Sequence, residues 1–345
     1  MKQLTLKGSA YEMGLLHGRT FKKEIHELAQ IRKTLISNFL KKLTEDEILN
    51  LAHDQIEALK SYPDFYEEFK GISEGAEIDP ALLMILNNYT DMRDFSPNEK
   101  DDKGDAGCSI FALKKNNQMI TGQTWDMHAS AAPYMLALEV QEPVKAHILT
   151  LTGCVALAGI NEYGVAISIN NLHCKETKIG LMWGALVRGM LLQKTAKDAL
   201  NYLEQNLPCS GHNYLIVDVN EAYNVETTGT QFEVTKHLKN EGYLVHTNHY
   251  LGSLQPFEIS ERVSKTTHGR LTAIEKYFEK TSLSDWRKIK EEIFQTDFPE
   301  GICISKNESE HTSKTCGGAI FDLTEKQGEL YGGNYADGNR LPIQW

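Results

Sequence analysis

Gly107-Cys108-Ser109 closes a polar run and opens an apolar one, Ile110-Phe111-Ala112-Leu113. A cysteine in that setting can open amides if it becomes a chain terminus. Its own α-amine, with a pKa of roughly 7.7–8.0, is then a base that is partly neutral near neutral pH. A thiol of pKa about 8.5 is readily drawn toward thiolate by such a neighbour. Exposing the amine requires scission of the Gly107–Cys108 bond, by an N-to-S acyl shift. Glycine on the leaving side presents no side chain to the attack and tolerates strained backbone. The plain alternative is a small buried cysteine with no reactivity.

Other residues offer the groups such a thiol needs. Asp126 stands eighteen positions after Cys108, at the end of a run returning from the turn Lys115-Asn116-Asn117. Antiparallel strands joined by that turn bring their far ends together, so Asp126 is expected beside Cys108, where a carboxylate would hold an amine. Asn248, in His246-Thr247-Asn248-His249, follows an apolar strand, and its amide is placed to steady an oxyanion. His246 and His249 also raise a metal reading, but no third ligand stands nearby in sequence and no metal is expected. Asn170-Asn171 ends another apolar strand. Two consecutive amides are costly if buried without partners, so they face solvent or a site.

The elements carrying these groups follow from periodicity. Phe21, Ile25, Leu28, Ile31, Leu35, Phe39 and Leu43 fall at helical spacing. Thr44-Glu45-Asp46-Glu47 has the form of a capping box, Tyr62-Pro63 breaks the helix it opens, and Asp79-Pro80 starts another. Gly14 and Gly18 mark a first helix that packs closely on something. Residues 96–106 are polar, without an apolar anchor, and read as an exposed connector. From 108 the texture is β: strands are expected at 109–113, 119–125, 134–140, 146–151, 155–160 and 164–169. A helix pair over 181–205 follows, then strands at 213–217, 223–227, 232–236 and 243–246. Helices at about 257–279 and 284–295 precede a last hairpin, 317–323 with 329–331.

Bulk properties narrow the classes. The chain has 345 residues, 41% hydrophobic and 24% charged, which suits one or two soluble domains. A net charge of −11 argues against nucleic acid or an anionic membrane surface as main partner. No signal-peptide pattern and no run of about 18 apolar residues is visible. The six cysteines form no C-x-x-C pair, so reduced thiols and a cytoplasmic setting are expected.

Taken in order, these pieces resemble the acyl-coenzyme A:6-aminopenicillanic acid acyltransferase (isopenicillin-N acyltransferase-like) family, a branch of the N-terminal-nucleophile hydrolases related to the choloylglycine hydrolases. The resemblance rests on Tyr11-Glu12-Met13-Gly14-Leu15-Leu16-His17-Gly18, Gly107-Cys108-Ser109, Trp125-Asp126, the run from Gly159 to His173, and His246-Thr247-Asn248-His249. It implies an α+β fold, a four-layer αββα sandwich. It also implies self-cleavage into 1–107 and 108–345, both parts of one structural domain. It assigns Cys108 as nucleophile, Asp126 as the residue orienting the α-amine and Asn248 as oxyanion donor. Asn170 and Asn171 compete for a second oxyanion place. Arg262 and Arg270 are candidates for a basic residue near the nucleophile. The expected reaction is hydrolysis of a small linear N-acyl amide through a thioester, without cofactor. The partners are then the small-molecule substrate and the chain's own cleaved fragment. Acyl transfer from CoA or an amide to an amine, a non-catalytic binding role, and an uncut Cys–His hydrolase using His246 or His249 are the alternatives.

Overall fold

The computed structural model describes residues 1–95, 107–280, 286–294, 296–305 and 313–345. The connector expected at 96–106 lies outside them, as do 284, 285 and 295 of an expected helix. The chain opens with strand β1 (Lys2–Leu6) and helices α1 (Ala10–Thr20), α2 (Lys22–Phe39), α3 (Glu45–Leu59), α4 (Pro63–Ala76) and α5 (Pro80–Asp94). Local chemistry sets their starts. Thr44 and Glu47 form both bonds of a capping box, and Asp79 accepts from Ala81 N–H ahead of Pro80. The helical spacing over 21–43 is divided: α1 and α2 meet at Phe21, and α2 ends before Leu40.

The hairpin β2 (Ser109–Lys115) and β3 (Gln118–His128) turns through Asn116 and Asn117, both at positive φ (51° and 62°). That is the geometry a two-residue hairpin favours, and Asn tolerates it. Then come β4 (Met135–Val140), β5 (Ala146–Leu151), β6 (Ala158–Asn161), β7 (Ala166–Asn171), α6 (Trp183–Met190) and α7 (Ala196–Gln205). Strands β8 (His212–Val217), β9 (Ala222–Thr227), β10 (Phe232–Leu238) and β11 (Gly242–His246) lead to α8 (Thr267–Lys280) and α9 (Trp286–Ile289). β12 (Ser313–Asp322), β13 (Gln327–Gly332) and β14 (Arg340–Gln344) finish the chain, so the expected last hairpin gains a third strand.

One expected helix is shorter than its pattern. Residues 257–266 hold only short 3-10 turns before α8 starts at Thr267. Their backbone bonds go elsewhere: Ile259 N–H donates to His173 O, and Phe257 O accepts from Lys175 N–H. A segment whose amides pair with a distant loop cannot also close helical turns.

Eight strands form one sheet in the order β1-β4-β5-β6-β7-β8-β9-β10, and six form another in the order β11-β2-β3-β12-β13-β14. Strand alternation gives the second sheet two apolar faces. Phe111, Leu113 and Ile120 point outward, into a cluster with Ile274 and Phe278 of α8 and Trp286 of α9. Ile110, Ala112 and Met119 point inward, into the cluster that includes the first sheet. Helix α7 packs on β8 and β9 from the far side. The result is an α+β fold, a four-layer αββα sandwich. Gln123 of β3 fastens the two sheets: its Nε2 donates to Ile169 O (2.8 Å) and its Oε1 accepts from Ile169 N–H (3.0 Å) on β7.

Helices α1 and α4 meet through glycines. A Cβ on Gly14 or Gly18 would run into the α4 backbone at Glu68 or Ile72. One on Gly71 or Gly75 would run into α1 at Tyr11 or Leu15. Gly18→Ala is therefore expected to cost about 1–3 kcal/mol through overpacking, read as a lower urea midpoint at unchanged slope. An unmoved midpoint would show that the helices are not in backbone contact.

Candidate active site

Cys108 sits at the inner edge of the second sheet, 6% exposed, at the start of β2. The hairpin register pairs Ser109 with Thr124, which brings Asp126 alongside. Cys108 Sγ lies 4.0 Å from the Asp126 carbonyl oxygen. The two remaining polar atoms of Cys108 are held by groups from far down the chain. Its N–H donates to Asn248 Oδ1 at 2.7 Å, and its C=O accepts from Arg270 Nη1 at 2.6 Å.

Arg270, fully buried on α8, ties the site together. It also donates to Ser109 Oγ (2.8 Å) and to Asn248 Oδ1 (3.0 Å). Asn248 Oδ1 thus receives two donors while Nδ2 donates to Asn171 O at 3.0 Å. That pattern settles which end of the amide is oxygen, because a flipped NH₂ would face two N–H groups. The second N–H of Nδ2 has no partner among the described residues.

Gly107 is required here for space. A Cβ would drive into the Arg270 guanidinium. Gly107 is absent from the positive-φ residues, so room, and not backbone handedness, is what glycine supplies.

Asp126 is buried on β3. Its Oδ1 accepts from Thr315 Oγ1 at 2.7 Å, and its Oδ2 has no partner among the described residues. A β-bulge in β12, between Thr315 and Gly317, brings Thr315 opposite Asp126. Burial pushes the Asp126 carboxyl up to about 7, against the lowering effect of Arg270 and the Thr315 bond. Burial, helped by the Asp126 charge, also pushes the Cys108 thiol up to about 12.

The cavity beside Cys108 is lined by Asp126, Asn171, Asn248, Trp125 and Trp183 among others. Asn171 is the asparagine that reaches it. Asn170 points the other way, its Nδ2 against His246 Nδ1 at 3.1 Å, while His246 Nε2 meets Glu226 Oε1 at 2.9 Å. A carboxylate on Nε2 leaves Nδ1 as acceptor, which suits the Asn170 donor. Arg262 is committed elsewhere, to Arg93 O (3.2 Å) and Asp94 Oδ1 (3.4 Å). His249 bonds the hydroxyls of Thr247 and Thr267. No imidazole bonds Cys108 among the described residues, and no group of three metal-type ligands occurs among them. No described helix is long and apolar enough to cross a membrane.

Sequence reasoning missed Thr315, because nothing local marks a residue set opposite Asp126 by a bulge. It also missed Arg32 and Arg93, which line the cavity. Arg32 carried a signal: it falls on the stripe of Ile25, Leu28, Ala29 and Ile36, the buried face of α2. A charge on an apolar stripe has to be aimed at something.

A folded value near 7, above the ordinary 3.8, means the folded chain holds the proton more tightly. Stability present at low pH is then lost as pH rises through that value. In the Cys108→Ala chain, adding Asp126→Asn is expected to flatten the fall in thermal midpoint between about pH 4 and about pH 7. Parallel curves would show that this carboxyl titrates normally.

Comparison with known proteins is consistent in kind. The model of the family described as acyl-coenzyme A:6-aminopenicillanic acid acyl-transferase matches residues 113–336. The 40 kDa form of acyl-coenzyme A:6-aminopenicillanic-acid-acyltransferase from Emericella nidulans is 26% identical over 331 residues, covering 93% of this chain and 90% of that protein. The beta-alanyl-dopamine/carcinine hydrolase of Drosophila melanogaster is 21% identical over 380 residues, covering 99% and 95%. Among solved structures, a variant of conjugated bile acid hydrolase from Clostridium perfringens aligns with TM-score 0.44 and 13% identity, over 69% of this chain and 92% of that one.

Proposed function

The chain belongs to the acyl-coenzyme A:6-aminopenicillanic acid acyl-transferase family, a branch of the N-terminal-nucleophile hydrolases, and from that membership we propose that it is a self-cut cysteine amidohydrolase. Cys108 Sγ adds to the Gly107 carbonyl, the C–N bond breaks, and a thioester replaces the peptide bond. Water then releases the Gly107 carboxylate and leaves Cys108 with a free α-amine. In the mature site Asn248 Oδ1 accepts from that amine. The unpartnered Asp126 Oδ2 is the acceptor for its protonated form, which keeps the charge in place.

The substrate is a small linear N-acyl amide. Its carbonyl carbon is attacked by Sγ, the thiol proton passes to the α-amine, and the oxyanion takes the second N–H of Asn248 and support from Asn171. The α-amine returns its proton to the leaving amine. Water enters by the same proton path and frees the acid. No cofactor takes part. The fragment 1–107 remains as a partner, since residues of α1–α5 share one apolar cluster with both sheets.

The observation that carries this reading is the 2.7 Å bond from the Cys108 nitrogen to Asn248, with a carboxylate oxygen of Asp126 left unpartnered beside it. An ordinary buried cysteine has no use for that arrangement. Transfer is the second reading, because one relative is named an acyltransferase and the other a hydrolase.

Intact-mass measurement of purified protein is expected to give fragments 1–107 and 108–345. Cys108→Ala should give one chain and no amide cleavage. A single unbroken chain that is active would sink the proposal. Adding an acyl-CoA and an amine acceptor separates the two outcomes: new amide in place of free acid means transfer.

A further inference from the structure

The cavity beside Cys108 is lined by two buried arginines that make no ion pair among the described residues. Arg32 of α2 and Arg93 of α5 are 3% and 2% exposed, and both line it. Their guanidinium groups lie 4.3 and 5.0 Å from the centre of the Tyr89 ring. Arg93 also lies over Phe39, at 5.2 Å. Among the described residues, Arg32 makes a single side-chain hydrogen bond, a weak one from Nη1 to Met127 Sδ at 3.6 Å. Arg93 Nε is buried with no partner, and neither residue has an ion pair among them.

Other buried cations of this chain are treated differently. Arg188 has Glu68, Arg262 has Asp94, Lys290 has Glu329, and Arg270 has four oxygen acceptors, Thr266 Oγ1 among them. Stacking on an aromatic ring offsets only part of the loss of water from a guanidinium. Two such groups side by side also repel. Asp94 accepts from Ser210 Oγ, Cys174 N–H and Arg262, and Asp91 Oδ1 holds His212 at 2.6 Å while its Oδ2 has no partner among the described residues. Further buried polar atoms without partners belong to residues of the same cavity: Thr90 Oγ1, Asn171 Oδ1, Trp183 Nε1 and His212 Nδ1.

We propose that Arg32 and Arg93, set about Tyr89, form an anion subsite that takes a carboxylate carried by the amide substrate. This deepens, and rests on, the reading of Cys108 as the nucleophile. A carboxylate is planar and accepts the paired N–H groups of a guanidinium, and two arginines on one ring offer it two such forks. The apolar walls, Leu86, Leu151, Leu157 and Ile169, suit the hydrocarbon between carboxylate and scissile amide. The substrates are then N-acyl amino acids, or amides whose acyl half ends in a second carboxyl. Both present the same chemistry to the arginines.

The test compares matched pairs on the purified, full-length protein. N-benzoylglycine is set against N-benzoylglycinamide, and glutaryl p-nitroanilide against its methyl ester. At least one free carboxylate is expected to be favoured over its neutral partner by about 100-fold in kcat/KM, mostly through KM. The pair that shows the preference says which half carries the anion. Arg32→Met and Arg93→Met should each collapse that preference.

Two further readouts do not need turnover. Calorimetry with Cys108→Ala should show the favoured acid binding, and binding should be lost when either Arg→Met change is added. The ligand-free melting temperature should rise in the Arg→Met variants, because an uncompensated buried charge has gone; a structural arginine would lower it. Hydrolysis of neutral and anionic partners at equal rates overturns the subsite and leaves the enzyme reading standing. Arginine-dependent binding of an acid by a chain that is never cut and cleaves no amide does the reverse.

Discussion

One buried guanidinium holds the site in register. Arg270 reaches from the outer helix layer through the second sheet, and its donors meet Cys108 O, Ser109 Oγ and Asn248 Oδ1. These acceptors belong to two stretches that are distant in sequence and that the β2–β11 ladder, with His246 opposite Ile110, brings side by side; Arg270 ties their ends together. A cation taken out of water demands such acceptors, so the position of each is specified by the need of the others. Gly107 follows from the same cause, since only a residue without a side chain fits against that guanidinium.

The surroundings of Cys108 bias its chemistry in time. Burial pushes both the thiol and the neighbouring carboxyl up from their ordinary values. No imidazole among the described residues is bonded to the sulfur. A free amine at Cys108 would add a base and a counter-charge for Asp126 together. On the proposed reading, cutting and catalysis would use the same few atoms.

The cavity draws on both sheets, with Trp125 and Asp126 from one and Ile169 and Asn171 from the other. Gln123 bridges β3 to β7 just before Asn171, at a point where the short strand β6 leaves Ile169 without a neighbour on that side. The helices α2 and α5 close the other side, and they bring in Arg32 and Arg93, which have no ion pair among the described residues.

The parts legible from sequence were those set by neighbouring residues. The Asn116-Asn117 turn defines the hairpin and so brings Asp126 to Cys108, because two-residue turns leave the strands no other register. The capping box at Thr44 and the Asp79-Pro80 start are equally local. What only the tertiary structure decided lies across long separations. The bond from Cys108 to Asn248 spans 140 residues, and that to Arg270 spans 162. Periodicity could not choose Arg270 over Arg262, or say which of Asn170 and Asn171 reaches the cavity. Nor could it pair Thr315 with Asp126 through a bulge. Spacing along a chain reports which face of an element a residue occupies; which groups meet there depends on how the layers pack, and that is determined by the summed burial of the whole chain.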